Sequence, residues 1–141
     1  MYGKGGRPAG FFEGDVEVTG DIRLKNADYP EDFDVSGVAK VEPGTVMVLG
    51  SEGSILGSRQ PYDKRVAGVV SGAGNYKPGI VLDDQQISGN RQPLALLGKV
   101  HCKVDAQFGA VEVSDLLTTS PTCPDVPHRR TCEKRPTGPN P

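Results

Sequence analysis

Alternation of apolar and polar residues is the first regular feature of the chain. Two six-residue units, GDVEVT and GDIRLK, follow each other between Gly14 and Lys25, and each opens with Gly-Asp. Apolar side chains occupy every second position, which is the period of a β-strand with one buried face. The pattern predicts a β-ribbon over residues 11–26, similar to the stem of a β-prism or β-solenoid. The alternative is a simple hairpin that folds onto the domain's own core.

Short apolar runs separated by turn residues follow the ribbon. The segments 45–49, 65–71 and 80–82 each predict a strand, and the run PLALLGKVHCKVDA predicts a strand pair with a kink at Gly98. We expect about nine or ten strands and no helix, in an all-β domain over residues 27–120 that forms a compact barrel or sandwich. Its predicted core comprises Val66, Val69, Val70, Leu96, Val100 and Val104.

The composition supports this interpretation and limits the classes of binding partner that we expect. The 141 residues include 19 Gly and 12 Pro, which suits short strands joined by tight turns. A formal net charge of −2 and a pI near 5.7 predict no general attraction to nucleic acid or anionic membranes. The start of the chain lacks a signal peptide's apolar region, and we expect residues 1–10 to be a flexible N-terminus. The expected location is the cytoplasm as synthesised, or a phage-like particle, with no membrane partner.

Residues 121–141 differ in kind from the rest of the chain. They hold half of the prolines and scarcely any large apolar side chain, so we predict a disordered Pro- and Arg-rich tail. The tail also carries the basic run HRRTCEKR, and disordered basic tails bind phosphate backbones without sequence preference. The candidate contacts to nucleic acid are Arg129, Arg130, Lys134 and Arg135.

No motif for a reaction stands out in the sequence. The three cysteines are an odd number without paired spacing, so reduced thiols are the expectation. His101 and Cys102 are neighbours in a predicted strand and would point to opposite faces, which argues against a Cys–His nucleophile pair. The Gly-rich run SGAGNYKPG lacks the arrangement of a phosphate loop. The sequence therefore predicts no catalytic residue, no metal site and no cofactor.

Carboxylates are the best candidates if the protein is an enzyme after all. Asp63, Asp83 and Asp84 could serve a metal-assisted nuclease or an autoprotease, although aspartates beside turn residues commonly bond backbone amides. Residues 28–34 contain four acidic side chains, and we interpret them as a solvated loop. A calcium site there is the weaker alternative, because the spacing of an EF-hand loop is missing.

Four stretches carry a family resemblance: AGFFEGDVEVTGDIRLKNADYPEDFDV, VEPGTVMVLG, YDKRVAGVVSGAGNYKPGIVLD and PLALLGKVHCKVDAQFGAVEVSDLLTTSP. They resemble a bacterial and phage family whose members form the C-terminal part of proteins with tail-fibre-like β stems. The chain is also distantly similar to the intramolecular-chaperone peptidase domains that end some phage tail spikes. The similarity covers about residues 9–121. No position here matches a catalytic residue of those peptidases.

The resemblance implies a structural and assembly module that forms the homotrimeric end domain of a tail-fibre-like protein. Its implied partners are copies of itself and other tail proteins of a phage-like particle. Two rival functions stay open: a hydrolase with its site at the seams between chains, and non-specific nucleic-acid binding through the basic tail. The ribbon residues that the resemblance places around the three-fold axis are Phe11, Phe12, Val16, Val18, Ile22 and Leu24.

Overall fold

Strands account for all the regular secondary structure in the computed structural model, which describes residues 10–37, 41–83, 89–106, 109–120 and 132–134. The predicted all-β class is therefore confirmed. These ranges contain no helix that is long and apolar enough to cross a membrane. The strands are β1 Ala27–Asp34, β2 Val46–Leu49, β3 Ile55–Gly57, β4 Val66–Val70, β5 Lys77–Pro78, β6 Arg91–Leu97, β7 Leu117–Thr119 and β8 Cys132–Lys134.

Six strands form one mixed sheet in the order β3-β2-β4-β6-β1-β5. The neighbours are antiparallel except β5, which runs parallel to β1. Just past the end of β1, Val35 forms a parallel bridge with Ile55, and the N–H of Ser36 donates to the carbonyl of Ile55 at 2.9 Å. The sheet therefore curves until β1 meets β3. β7 and β8 form a separate two-stranded antiparallel sheet.

The core lies against the middle strands of the large sheet. Met47, Ile55 and Leu94 are fully buried, because they pack together in one core cluster. Val46 and Val48 are buried as well, so β2 is covered on both faces. The core cluster consists of Val35, Val41, Met47, Ile55, Val70 and Leu94, with Phe33 and Ala67 packed against it.

The predicted core was correct at Val70 and wrong at three other positions. Val66, Leu96 and Val104 are each 40% exposed or more in the single chain. Val66 begins β4 and Leu96 lies near the end of β6, so both sit at the margin of the sheet rather than over its centre. Val104 lies after β6, which ends just before Gly98. Val69 and Val100 are half-buried.

The acidic stretch that we expected to be a loop is instead strand β1. It pairs with β6 along its length, from Tyr29 opposite Leu97 to Asp34 opposite Arg91. Phe33 packs against the core, since alternate β1 side chains face inward. The predicted strand over residues 80–82 is reduced to one parallel bridge between Leu82 and Glu31.

Gly98 ends β6 rather than joining two strands. Its φ of +108° lies in a region that only glycine adopts readily. A Cβ on this residue would lie 3.2 Å from the Cα of Asp28, so a larger residue would also press on β1. The kink predicted from the sequence is present, but residues 99–103 after it form no strand.

Candidate functional site

The opening segment, residues 10–26, lies on the surface of the single chain. Each of its residues except Leu24 is exposed, and Phe11 is 85% exposed. No strand is assigned to the segment, so the β-ribbon predicted there is not formed within one chain. A β-strand needs a neighbouring strand whose N–H and C=O groups hydrogen-bond to its own. Among the described residues, no strand pairs with this segment. Phe11, Phe12, Val16, Val18 and Ile22 therefore form an apolar surface that the described part of the chain leaves uncovered.

The polar side of this segment is acidic. Within residues 10–26, Glu13, Asp15, Glu17 and Asp21 precede the first basic residue, Arg23. All four carboxylates belong to exposed residues. The segment thus combines exposed apolar side chains with negative charge, and we call it the ribbon below.

The ribbon joins the sheet through a short, well-bonded junction. The N–H of Lys77 donates to the carbonyl of Asn26 at 2.9 Å, and the N–H of Gly79 donates to that of Asp28 at 3.1 Å. A Cβ at Gly79 would lie only 2.7 Å from Cδ1 of Leu24. Leu24 is therefore packed against its own chain and is half-buried, unlike the other ribbon residues assigned to the interface.

Asp28 is fully buried at this junction. Neither of its carboxylate oxygens has a hydrogen-bond partner among the described residues. Burial of a polar group without a partner is destabilising, so Asp28 weakens the start of β1 rather than anchoring it. No sequence pattern pointed to this residue, since it lay within the stretch interpreted as a solvated loop.

Asp63 is held in a structural clamp. Arg65 donates from its backbone N–H and its Nε to Oδ1 at 3.1 and 3.0 Å, and from Nη2 to Oδ2 at 2.8 Å. The backbone N–H of Asp63 donates to Oγ1 of Thr119 at 2.8 Å, and that hydroxyl donates to the carbonyl of Gln60 at 3.0 Å. The backbone N–H of Asp63 therefore ties β7 to the loop before β4, while its carboxylate binds Arg65. This use of Asp63 agrees with an aspartate in a turn rather than with an acid–base catalyst.

Hydrogen bonds from Arg65, aided by its charge, lower the pKa of the Asp63 carboxyl below its ordinary value. Because the folded-state pKa is lowered, ionised Asp63 contributes stability above the ordinary carboxyl pKa, and that stability is lost as pH falls through the lowered value. We expect Asp63→Asn to lower the Tm near pH 7 and to matter progressively less below about pH 4. Thermal unfolding of both proteins from pH 7 to pH 2 measures this, with exposed Glu52→Gln as the control. A difference in Tm that is constant across this range would contradict the assignment.

Asp83 is bound by a different arginine. Nη2 of Arg91 lies 2.5 Å from Oδ2 of Asp83 and donates to the carbonyl of Asp32 at 2.6 Å, while Nη1 lies 3.6 Å from Oδ2 of Asp34. The Arg91 side chain is largely buried, so this network fastens the end of β1 to the loop after Leu82. Asp84 lies outside the described residues. Among the residues that are described, no group of three or more His, Cys, Asp or Glu side chains could hold a metal ion.

His101 and Cys102 make separate contacts. The ring of His101 lies 5.1 Å from that of Tyr76, with the two planes tilted by 54°. The thiol of Cys102 donates to the carbonyl of Lys103 at 3.3 Å. Gly74 lies against the imidazole, because a Cβ there would come within 2.7 Å of Cδ2 of His101.

The C-terminal tail is not wholly without structure. Cys132–Lys134 form β8, which pairs with β7, within the segment 121–141 that we predicted to be disordered. Three of the basic residues proposed to contact nucleic acid, Arg129, Arg130 and Arg135, lie outside the described residues. Lys134, the fourth of these basic residues, is the last residue of β8. β8 forms its hydrogen bonds with β7, which ends more than ten residues earlier in the sequence. Local composition does not reveal a pairing over that distance.

Comparison with known proteins identifies no relative of this chain. No family model, no curated protein and no solved structure matches the chain. The resemblance to tail-fibre-like domains therefore rests on the four sequence stretches alone. What bears on function in the structure is the unpartnered ribbon.

Proposed function

We propose that the chain is a structural and assembly module that associates with two copies of itself, as the end domain of a tail-fibre-like protein. The observation that carries the proposal is the exposure of the ribbon's alternating apolar side chains. Phe11, Val16 and Ile22 are each more than half exposed in the single chain. Apolar residues in series at a strand period are typical of a face that another chain covers.

The backbone of the ribbon favours the same function. Residues 10–26 have no strand pairing within the described chain. Apart from the carbonyl of Asn26, which accepts from Lys77, their N–H and C=O groups are available to a neighbouring backbone. A closed symmetric assembly pairs such groups and leaves no exposed strand edge for uncontrolled aggregation. The number three comes from the resemblance to tail-fibre-like stems.

The test is the mass of the purified full-length protein by light scattering over a range of concentrations. The expected result is a complex of three times the 14.9 kDa chain mass. A matched chain that begins at Arg23 lacks the exposed apolar residues of the ribbon but keeps Leu24, and it is expected to be monomeric. A full-length monomer at high micromolar concentration would contradict the proposal, and a dimer would contradict its three-fold symmetry.

A further inference from the structure

A second exposed apolar surface lies at one end of the large sheet. β2 ends there, β4 begins there and β6 ends there, and the three strands are neighbours. Their terminal residues are the surface, which we call the end patch. It consists of Leu49, Val66, Leu96 and Leu97, exposed by 48%, 47%, 48% and 70%, and it extends over both faces of the sheet end because Leu96 and Leu97 are consecutive residues of β6.

The ribbon leaves the sheet at the same end as the end patch. β1 begins at Ala27, directly after the ribbon, and Tyr29 pairs with Leu97 of the end patch. The ribbon therefore enters the sheet beside Leu97, at the end where the end patch lies. Yet the ribbon does not fold back onto the end patch of its own chain, because Phe11 and Leu97 both stay exposed.

Charge on the two surfaces is complementary. Lys64 and Lys99 are exposed and adjoin the end patch, Lys64 two residues before Val66 and Lys99 two residues after Leu97. The ribbon carries four acidic side chains between positions 13 and 21 and no basic one there. Opposite charges around an apolar contact favour one partner and one orientation.

From this position and this charge pattern we infer that the end patch binds the ribbon of a neighbouring copy. The apolar side chains of that ribbon cover Leu49, Val66 and Leu97, and its carboxylates face Lys64 and Lys99. The inference rests on the proposed self-association, which it extends by naming the surface on the body that receives the ribbon. Each copy then gives one ribbon and receives one, as a cyclic assembly requires.

The experiment measures the mass of the full-length chain and of Leu97→Glu by light scattering during dilution. Leu97→Glu is expected to weaken association at least about tenfold, because it places a charge in an apolar contact. Leu82→Glu is the matched control, since Leu82 is 51% exposed but lies on the side of β1 away from β6. A native thermal transition in each variant shows that the body is folded.

The outcomes separate the two proposals. If the wild-type chain is monomeric, self-association itself fails and the inference fails with it. If the wild type associates and Leu97→Glu associates equally well, the assignment of the end patch is overturned while self-association stands. Equal weakening by Leu82→Glu would also overturn the assignment, because the effect would not be specific to the end patch.

A charge-reversal cycle tests the partner without altering apolar residues. Lys64→Glu with Lys99→Glu, and separately Asp15→Lys with Glu17→Lys, are each expected to weaken association. All four changes together are expected to restore most of the affinity, because opposite charges face each other again. Losses that simply add in the fourfold variant would overturn the pairing of the end patch with the ribbon.

Discussion

Replacing Ile22 by aspartate is expected to convert the assembly into folded monomers. Ile22 is 53% exposed in the single chain, so the body does not depend on it for its own folding. In the proposed assembly its side chain would lie in a dry contact between chains, where an unpaired charge costs about 3–5 kcal/mol. The cost is incurred in each chain, so dissociation should be complete at micromolar concentration.

Light scattering at matched concentrations measures the loss, and circular dichroism reports whether the monomer keeps its strands. Val18→Asp is expected to behave in the same way, because positions 18 and 22 share the apolar side of the alternation. Thr19→Asp adds the same charge on the polar side and should leave the mass unchanged. An Ile22→Asp protein that stays trimeric would show that the ribbon does not form the interface.

The strands that were predicted correctly are those whose signal is local. Val46–Leu49 is a run of large apolar residues bounded by turns, and burial on both faces makes that run necessary. Strand β4 was located for the same reason, since apolar residues and flanking turn residues mark it out. In both cases the apolar residues that predict the strand lie within the strand itself.

Strand β1 was missed because its stability comes from residues distant in sequence. Its acidic side chains are typical of a loop, and only pairing with β6 makes a strand of them. Arg91 bonds the carbonyl of Asp32 and the carboxylate of Asp83, a contact between segments that no local pattern can show. The burial of Asp28 was unpredictable for the same reason.

In the candidate site, too, features with a local sequence signal were predicted, and features that depend on distant residues were not. The alternation identified apolar residues of the ribbon from sequence, and Val16, Val18 and Ile22 among them are exposed in the single chain. Leu24 differs from the other ribbon residues in being half-buried, because its contact with Gly79 depends on β5 lying beside β1. The end patch could not be foreseen, since Val66 and Leu96 were expected in the core and only the strand ends place them outside it.

Truncation of Leu94 to alanine is expected to have the largest effect on the body itself. Leu94 is fully buried in the core cluster with Val35 and Val70, and removal of its side chain leaves a cavity. The cavity cannot collapse easily, because a Cβ on Gly68 would lie only 3.0 Å from Cγ of Leu94. The neighbouring wall is thus strand backbone, which cannot move inward without breaking the ladder. We expect a loss near the upper part of the usual range of about 2–5 kcal/mol for Leu→Ala.

The loss should be measured by urea unfolding in an Ile22→Asp background, since association would otherwise add to the apparent stability. In the same background Leu97→Ala is the matched control, and it should change the free energy of unfolding by no more than about 0.5 kcal/mol because exposed positions contribute little. These leucines lie three residues apart on β6, yet one belongs to the core and the other to the end patch. Equal losses at both positions would mean that the end patch is packed within the single chain. A large loss at Leu94 alone would leave Leu97 free to serve a neighbouring copy.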